Sequence, residues 1–329
     1  MSQEHLLSIQ DLKTYFFTRA GVVKAVDGVS FHLDEGEALG LVGESGCGKT
    51  ITCHSVVRLL PTAGARIVGG KILFQGEDLV QKKRQEMRKW RGKKIGMILQ
   101  DPLSSLNPVH TIGRQIGEAI RLDDKKQNTG KVRRKVLDLL ERVKIPSAAQ
   151  RMDQYPFQFS GGMRQRVLAA VSIARQPKLL IADEPTTALD VTIQDQFLRM
   201  LKEMQREYGL ALLLVTHDLA LVAETCDRVA VMYAGRIVET GNVERVFEEP
   251  AHPYTRALMM ALPELGEKKE RLFQIKGEPP NLLNLPPGCS FEPRCDKAME
   301  VCRKEYPPER PAGKSSVVAC WLWAKGSLE

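Results

Sequence analysis

Gly43-Glu44-Ser45-Gly46-Cys47-Gly48-Lys49-Thr50 is the stretch that decides the fold of this 329-residue chain. It fits the pattern G-x-x-x-x-G-K-[ST], in which a glycine-rich loop joins a strand to a helix. The apolar run 38–42 predicts the strand, and residues 51–60 predict a helix that Pro61 ends. This context predicts a loop whose backbone N–H groups surround the β- and γ-phosphates of a nucleotide.

Each residue type in this loop has an expected part in phosphate binding. Glycine lets the backbone approach the phosphates, Lys49 supplies a positive charge, and Thr50 offers a hydroxyl to Mg²⁺. The positive end of the following helix dipole adds to the attraction. The predicted nucleotide-binding residues of the loop are Gly43, Ser45, Gly46, Gly48, Lys49 and Thr50.

Two acidic residues end a second apolar run and predict the catalytic half of the site. The run 179–182 is typical of a strand buried on both faces of a parallel sheet. Asp183 and Glu184 follow at its carboxyl end, where ligands bind in open α/β sheets. We predict that Asp183 holds Mg²⁺ through water and that Glu184 polarises the attacking water. A third apolar strand, 211–215, leads to His217, which we expect at the γ-phosphate edge.

Composition limits the classes of function. The net charge is +8, and 43% of the residues are hydrophobic, which suffices for a sizeable core. Apolar runs such as 210–215 are of core-strand length, and residues 1–10 lack the pattern of a secretory signal. We therefore expect a cytoplasmic chain.

Residues 82–94 hold eight basic residues and one acidic residue. A solvated face is the first interpretation, and a surface directed at the inner leaflet or a membrane partner is the alternative. Trp90 stands alone there, without the interleaved aromatic residues that stack nucleic acid bases. We expect no nucleic acid partner.

The segment Phe159-Ser160-Gly161-Gly162-Met163 lies between the phosphate loop and the acidic strand. With these motifs and His217 in this order, the chain resembles the ATPase subunits of the ABC family over roughly residues 5–260. The resemblance implies an α/β fold, a P-loop NTPase core with an ABC-type antiparallel β subdomain and a helical subdomain. It also implies that Ser160, Gly161 and Gly162 close over the ATP of a partner subunit.

Other family positions follow by resemblance. Gln100 matches the Q-loop glutamine, which links Mg²⁺ and the lytic water to the transmembrane partner. Ala188-Leu189-Asp190 matches the D-loop, which touches the opposite subunit and makes Asp190 part of the composite site. For the aromatic residue that stacks on adenine, Phe16 is the first choice and Tyr15 the second, because both precede the strand that contains Val26.

The signature segment departs from the commonest family pattern, Leu-Ser-Gly-Gly-Gln. Phe159 stands in place of leucine, and Met163 in place of glutamine. The hydroxyl and backbone N–H groups that meet a γ-phosphate are retained, while a polar side chain is lost. The helix after the segment, predicted at 164–175, would direct its N-terminus toward the partner's ATP.

Two further segments narrow the resemblance. Residues 100–108 and 252–255 are similar to segments of the dipeptide and oligopeptide importer ATPases, a group related to nickel importers. The resemblance implies an ATPase subunit that powers peptide import, with a nickel or other small-solute importer, or a soluble ABC ATPase, as alternatives. It also implies a second homologous ATPase chain (a heterodimer, or else a homodimer), two transmembrane permease subunits and, indirectly, an extracytoplasmic solute-binding protein.

The expected domain organisation is a nucleotide-binding domain at 1–262 and a C-terminal extension at 263–329. Amphipathic spacing in residues 132–143 predicts helices, so residues of about 101–160 are expected to form the helical subdomain. The basic, glycine-interrupted stretch 125–134 is expected to be a solvated loop.

Four of the seven cysteines lie in the proline-rich extension, with the spacing C-x5-C-x6-C-x17-C. These four are Cys289, Cys295, Cys302 and Cys320. The extension is poor in periodic apolar residues, so a covalent or metal staple is plausible, but disulfides are rare in cytoplasmic chains. Spacing alone leaves an iron–sulfur cluster, zinc and free thiols open. The resemblance to peptide-importer ATPases implies a [4Fe–4S] cluster, with Zn²⁺ as the alternative.

Overall fold

The computed structural model describes residues 5–61, 64–124, 126–187, 189–261, 274–313 and 315–324. Strands occur throughout this part of the chain. In chain order they are β1 (Leu7–Thr18), β2 (Gly21–Leu33), β3 (Ala38–Val42), β4 (Ala65–Phe74), β5 (Glu77–Asp78), β6 (Ile95–Ile98), β7 (Leu179–Asp183), β8 (Ala211–Thr216), β9 (Arg228–Tyr233), β10 (Arg236–Asn242), β11 (Glu309–Pro311) and β12 (Ser316–Ala319).

The α-helices range from single turns to the 18 residues of the longest. They are α1 (Lys49–Val57), α2 (Pro102–Ser105), α3 (Ile112–Arg121), α4 (Thr129–Arg142), α5 (Ala148–Arg151), α6 (Gly161–Ile173), α7 (Val191–Tyr208), α8 (Leu219–Thr225), α9 (Val243–Glu248), α10 (Pro253–Met260) and α11 (Glu300–Lys304). Within the described ranges, no helix is both long enough and apolar enough to cross a bilayer.

The chain forms two compact units. Unit 1 comprises residues 1–34, 38–81 and 216–329, and unit 2 comprises residues 35–37 and 82–215. Unit 1 contains an antiparallel sheet in the order β2-β1-β4-β5, with Leu7 opposite both Leu33 and Phe74. These three side chains are fully buried. The antiparallel β subdomain expected from the sequence is therefore present.

Unit 1 also contains strands in the order β11-β12-β10-β9-β3. Strand β3 is buried along its whole length and runs parallel to β9, as its continuous apolar run predicts. The C-terminal extension adds β12 to β10, with Val318 opposite Glu239. The extension thus continues a sheet of unit 1, which its weak apolar periodicity did not predict.

Unit 2 contains the parallel strands β8-β7-β6, with Leu179 paired to both Ala211 and Ile95. All residues of β7 and β8 are buried, which confirms the prediction of a strand covered on both faces. The described residues of the segment 101–160 contain α2 to α5 and a short 3-10 turn at Pro156–Gln158.

Several helix boundaries differ from the sequence predictions. Helix α1 ends at Val57 rather than Leu60, because Arg58 adopts a left-handed conformation with φ of 51°. Helix α6 begins at Gly161, and ends at Ile173 rather than Arg175. The prediction of a loop at 125–134 is wrong from Thr129 onward, because Asn128 caps α4 by accepting hydrogen bonds from two backbone N–H groups.

Candidate functional site

The phosphate loop in unit 1 joins β3 to α1, as predicted. Gly43 and Gly48 have φ of 154° and 111°, and a Cβ on either would come within about 2.2 Å of a backbone carbonyl oxygen. The N–H of Gly235, in the turn between β9 and β10, donates to the Cys47 carbonyl at 2.8 Å. Only glycine fits these two positions, so the sequence pattern reflects the loop's geometry.

Lys49 lies inside the loop and is 4% exposed. Its Nζ donates to the carbonyl oxygens of Gly43 at 2.7 Å and of Glu44 at 3.0 Å. Thr50 is half-buried in the first turn of α1 and directly follows Lys49. A cation enclosed by backbone at a helix N-terminus forms a site suited to a polyphosphate.

Unit 1 also carries His217 and the two candidate adenine-stacking residues. His217 is exposed and lies between β8 and α8. Tyr15 and Phe16 are both half-buried on β1. The Tyr15 hydroxyl donates to Asp27 at 2.5 Å, and its burial raises the pKa of Tyr15 to about 12. Because Tyr15 is engaged by Asp27, Phe16 remains the preferred candidate for adenine.

Unit 2 brings Gln100, Asp183 and Glu184 to the carboxyl ends of β6 and β7. Asp183 is the last residue of β7 and is 1% exposed. The Glu184 carboxylate accepts hydrogen bonds from Gln100 Nε2 at 3.0 Å and from Thr187 Oγ1 at 3.1 Å. Two side chains therefore fix the carboxylate that is predicted to polarise water. Thr187 was not predicted, although it lies only three residues after Glu184.

The backbone of Glu184 is also held in an unusual conformation. Its φ is 43°, a left-handed value that is uncommon for residues other than glycine. Its N–H donates to the carbonyl of Val215, the partner of Asp183 in β8, at 2.9 Å. Strained backbone of this kind concentrates at functional sites, where the surrounding structure must maintain it.

The signature residues form the first turn of α6 in unit 2. Ser160 is the N-cap, and its Oγ accepts a hydrogen bond from the N–H of Met163 at 3.3 Å. Phe159 is 3% exposed, so the aromatic replacement of leucine serves as a core anchor. Ser160 and Gly161 are exposed, and Gly162 and Met163 are half-buried.

The signature turn packs against the start of α7. A Cβ on Gly162 would lie 2.6 Å from Ile193 Cγ2. Asp190 caps α7 and accepts a hydrogen bond from the Ile193 N–H at 3.0 Å. Ala188, the first residue of the predicted D-loop, lies outside the described residues. The structure thus brings Asp190 and the signature glycines together through Ile193.

The four cysteines of the extension line one small cavity, together with His252 and Phe291. All four are free thiols. Burial raises the pKa of Cys289 to about 12 and that of Cys320 to about 11, so a group that needs thiolates must displace their protons. The remaining cysteines behave as core residues: Cys47, Cys53 and Cys226 are buried.

The spacing of the thiols bears on what could bind them. Thiolates around one Zn²⁺ lie about 3.8 Å apart, since each Zn–S bond is about 2.3 Å long. Among the described residues, the sulfurs form no group of three within 4.8 Å of one another. Three other side chains, those of His5, His32 and Asp34, do have potential ligand atoms within 4.8 Å of one another. Their closeness is explained by a hydrogen bond of 2.6 Å between His5 and Asp34 and by stacking of the His5 and His32 rings at 3.9 Å.

His252 lies in the wall of the same cavity. Its Nδ1 accepts a hydrogen bond from the Tyr254 N–H at 3.0 Å, and burial lowers its pKa to about 3. The ring is therefore neutral, with its proton on Nε2. That nitrogen is buried and has no hydrogen-bond partner in the described part of the chain. The wall of the cavity therefore contains a buried N–H donor without a hydrogen-bond partner among the described residues.

Sequence reasoning missed the residues that join the extension to the phosphate loop. The Arg294 guanidinium donates to the Glu44 carboxylate, and the Glu44 N–H donates to Tyr254 Oη. The two ends of the ion pair are 250 residues apart. No local pattern in the sequence signals such a pairing.

Comparison with known proteins gives two family matches. Residues 26–187 match the family described as ABC transporter, and residues 238–302 match the C-terminal region of the oligopeptide/dipeptide transporter family. The dipeptide transport ATP-binding protein DppD of Bacillus subtilis is 48% identical over 319 residues, which cover 97% of this chain and 95% of DppD. The oligopeptide transport ATP-binding protein OppD of Bacillus subtilis is 46% identical over 318 residues, which cover 96% of this chain and 88% of OppD.

Solved structures show the same fold. The chain is similar to cbiO1 from Clostridium perfringens, part of the ABC transporter complex cbiONQ, with a TM-score of 0.64 and 27% identity over 75% of this chain and 92% of cbiO1. It is also similar to the ATP-binding cassette MJ0796, a dimer in a post-hydrolysis state with ADP and Pi, with a TM-score of 0.65. That match covers 72% of this chain and 98% of MJ0796 at 22% identity.

Proposed function

This chain belongs to the ABC transporter family, and on that premise we propose that it is the ATP-binding and ATP-hydrolysing subunit of an importer of di- or oligopeptides. The observation that carries the proposal is similarity along the whole chain: DppD, a dipeptide transport protein, is 48% identical over 97% of it. The fixed Glu184 carboxylate and the enclosed Lys49 ammonium support the ATPase part of the proposal.

The proposed roles divide between the two units. In unit 1, the phosphate loop binds the β- and γ-phosphates, Lys49 adds charge, and Phe16 stacks on adenine. In unit 2, Glu184 takes up a proton from the attacking water and orients it. The groups that would hold Mg²⁺, which neutralises charge on the phosphates, are Thr50, Gln100 and Asp183. His217 is proposed to contact the γ-phosphate.

The transport part of the proposal needs partners. Ser160, Gly161, Gly162 and Asp190 are proposed to complete the nucleotide site of a second, homologous ATPase chain in a heterodimer. ATP binding would close the pair, and hydrolysis would reset it. Two permease subunits would carry the peptide, delivered by a solute-binding protein, with this chain at the cytoplasmic face of the membrane. Within it, we assign residues 1–262 to the nucleotide-binding domain and 263–329 to the extension.

Reconstitution tests the transport proposal. The chain, a homologous second ATPase, two permeases and a solute-binding protein would be placed in proteoliposomes with internal ATP, and uptake of a labelled dipeptide and of Ni²⁺ would be followed in parallel. We expect peptide uptake that Lys49→Ala abolishes. Uptake of Ni²⁺ without uptake of peptide would show that the transported substrate is the metal. Failure of the chain to co-purify with any permease would contradict the transport role.

We further propose that Cys289, Cys295, Cys302 and Cys320 hold a [4Fe–4S] cluster. The resemblance to peptide-importer ATPases supports a cluster over Zn²⁺, and among the described residues no three of the sulfurs lie within 4.8 Å of one another, as the ligands of one Zn²⁺ would. When bound, the cluster would tie together a proline-rich segment that has little apolar core of its own. Nothing in the surroundings assigns it a redox reaction, so we propose a structural or regulatory part for it.

Anaerobic purification tests the cluster. We expect a brown protein with broad visible absorption and equal amounts of iron and acid-labile sulfide, both lost in Cys295→Ser but retained in Cys53→Ser, where a core thiol is changed instead. A colourless protein that carries zinc would establish the alternative metal.

A further inference from the structure

The C-terminal extension contacts the phosphate loop through a buried ion pair. Arg294 Nη1 lies 2.6 Å from Glu44 Oε2, and Arg294 Nη2 lies 3.0 Å from Glu44 Oε1. The arginine side chain is 5% exposed and the glutamate side chain 25% exposed. Two parallel hydrogen bonds between a guanidinium and a carboxylate fix direction as well as charge. Because solvent reaches the pair poorly, salt screens it only weakly.

Other groups hold both members of the pair in place. Arg294 Nε donates to the Lys276 carbonyl at 3.0 Å, and Nη1 also donates to Tyr233 Oη at 3.2 Å. On the loop side, the Glu44 N–H donates to the hydroxyl of Tyr254, a fully buried residue of α10. Glu44 is therefore fixed through its side chain and its backbone at once.

The negative charge of Glu44 lies in the phosphate loop and is neutralised by Arg294. Glu44 is the second residue of the loop, and its carbonyl accepts a hydrogen bond from the same Lys49 ammonium that is expected to meet the phosphates. A carboxylate left unpaired at this position would repel the anionic phosphates at short range, in a partly desolvated place. Arg294 cancels that charge without entering the loop itself.

We propose that Arg294 is a positioning residue for ATP binding, which neutralises and orients Glu44 so that the phosphate loop accepts a triphosphate. The extension is then a component of the nucleotide site and not only an appendage. Arg294 ends the short 3-10 turn at Glu292–Arg294, directly before Cys295. Arg294 therefore links the cysteine cavity to the loop, in addition to Tyr254, whose hydroxyl holds the Glu44 N–H.

Equilibrium binding of a fluorescent ATP analogue to the full chain tests the proposal. We expect Arg294→Gln to weaken binding about tenfold, because one buried carboxylate loses its charged partner. Glu44→Gln alone should bind the analogue more tightly than Arg294→Gln, because it removes the repelling charge. The double variant should recover to the Glu44→Gln value. This rescue is the readout that a merely structural role for Arg294 would not give.

Arg303→Gln is the matched control, because Arg303 lies in the same extension, pairs with Glu292 at 2.8 Å and is 73% exposed. It should bind the analogue like the parent chain. Visible absorption and thermal melts of each variant show whether the cysteine site and the fold are intact. Normal binding by Arg294→Gln, or a double variant as weak as Arg294→Gln, would overturn the proposal. Failure of the parent chain to bind ATP would instead remove the proposed function itself.

Discussion

At the scale of single residues, Glu184 concentrates the features of a catalytic group. Its carboxylate is held by Gln100 and Thr187, and its backbone sits at a φ of 43° directly after a buried strand. Glutamine has nearly the same shape and can keep both hydrogen-bonding neighbours. It lacks the negative charge that draws a proton from water. The position therefore allows the charge to be removed with little change in geometry.

We predict that Glu184→Gln retains ATP binding and lowers the rate of ATP hydrolysis by about 100-fold or more, the usual contribution of a general base. Phosphate release under saturating ATP measures the rate, and equilibrium binding measures affinity. Glu203→Gln is the control, because Glu203 forms an exposed pair with Lys144 at 2.6 Å, and such pairs contribute little. Unchanged hydrolysis by Glu184→Gln would refute the assigned role.

At the scale of elements, the first turns of α6 and α7 meet at a place without room for a side chain. Alanine at position 162 would place Cβ 2.6 Å from Ile193 Cγ2. Alanine normally stabilises a helix over glycine by about 1 kcal/mol, whereas overpacking a tight contact costs about 1–3 kcal/mol. We predict that Gly162→Ala lowers the free energy of unfolding by about 1 kcal/mol, measured by urea unfolding.

A second pair of variants removes the Ile193 side chain that a Cβ at position 162 would meet. In an Ile193→Ala background, Gly162→Ala should no longer destabilise the protein and should stabilise it slightly, because only the helix preference remains. Equal destabilisation in both backgrounds would show that the Ile193 contact does not limit position 162.

A second element-scale prediction concerns acid stability. Hydrogen bonds from Arg175, which follows α6, lower the pKa of Asp123, which follows α3, to about 2 from its ordinary 3.8. A lowered pKa in the folded state stabilises the protein above the ordinary pKa, and this stabilisation is lost as pH falls toward the folded-state value. Asp123→Asn should therefore lower stability at neutral pH, and the difference should shrink between 3.8 and about 2.

Urea unfolding at several pH values measures the effect. Asp195→Asn, which breaks an exposed pair one helical turn from Arg199, is the control and should change stability little at any pH. A difference for Asp123→Asn that persists unchanged through the acid range would show that the charge of Asp123 is not the cause.

Some of the strands, helices and loops could be predicted from the sequence alone, and others could not. The buried parallel strands and the phosphate loop were predictable, because continuous apolar runs and a glycine pattern act over a few residues. The start of α4 was missed because glycine and basic residues after Asn128 concealed a helix cap. The pairing of β12 with β10 and the ion pair between Arg294 and Glu44 join distant segments, so local pattern could not reveal them.

At the scale of the whole molecule, the signature residues are proposed to form half of a nucleotide site. Ser160 and Gly161 are exposed at the N-terminus of α6, where backbone N–H groups and the helix dipole suit an anion. Met163, half-buried beside them, brings no polar side chain to that anion. If the partner chain carries a polar residue at this position, the two composite sites differ in strength. The heterodimer proposed above would then hold two unequal nucleotide sites.

The proposed heterodimer predicts that ATP does not pair this chain with itself. The Glu184→Gln variant, in which bound ATP persists, should remain at 36.8 kDa with Mg²⁺ and ATP in light scattering coupled to size exclusion. Addition of the homologous second ATPase should produce a complex of both chains, because each signature then meets the other's phosphates. Lys49→Ala in this chain should weaken the complex, since one of the two bridging nucleotides is lost. A mass of twice 36.8 kDa for this chain alone with ATP would establish a homodimer and contradict the proposed heterodimer.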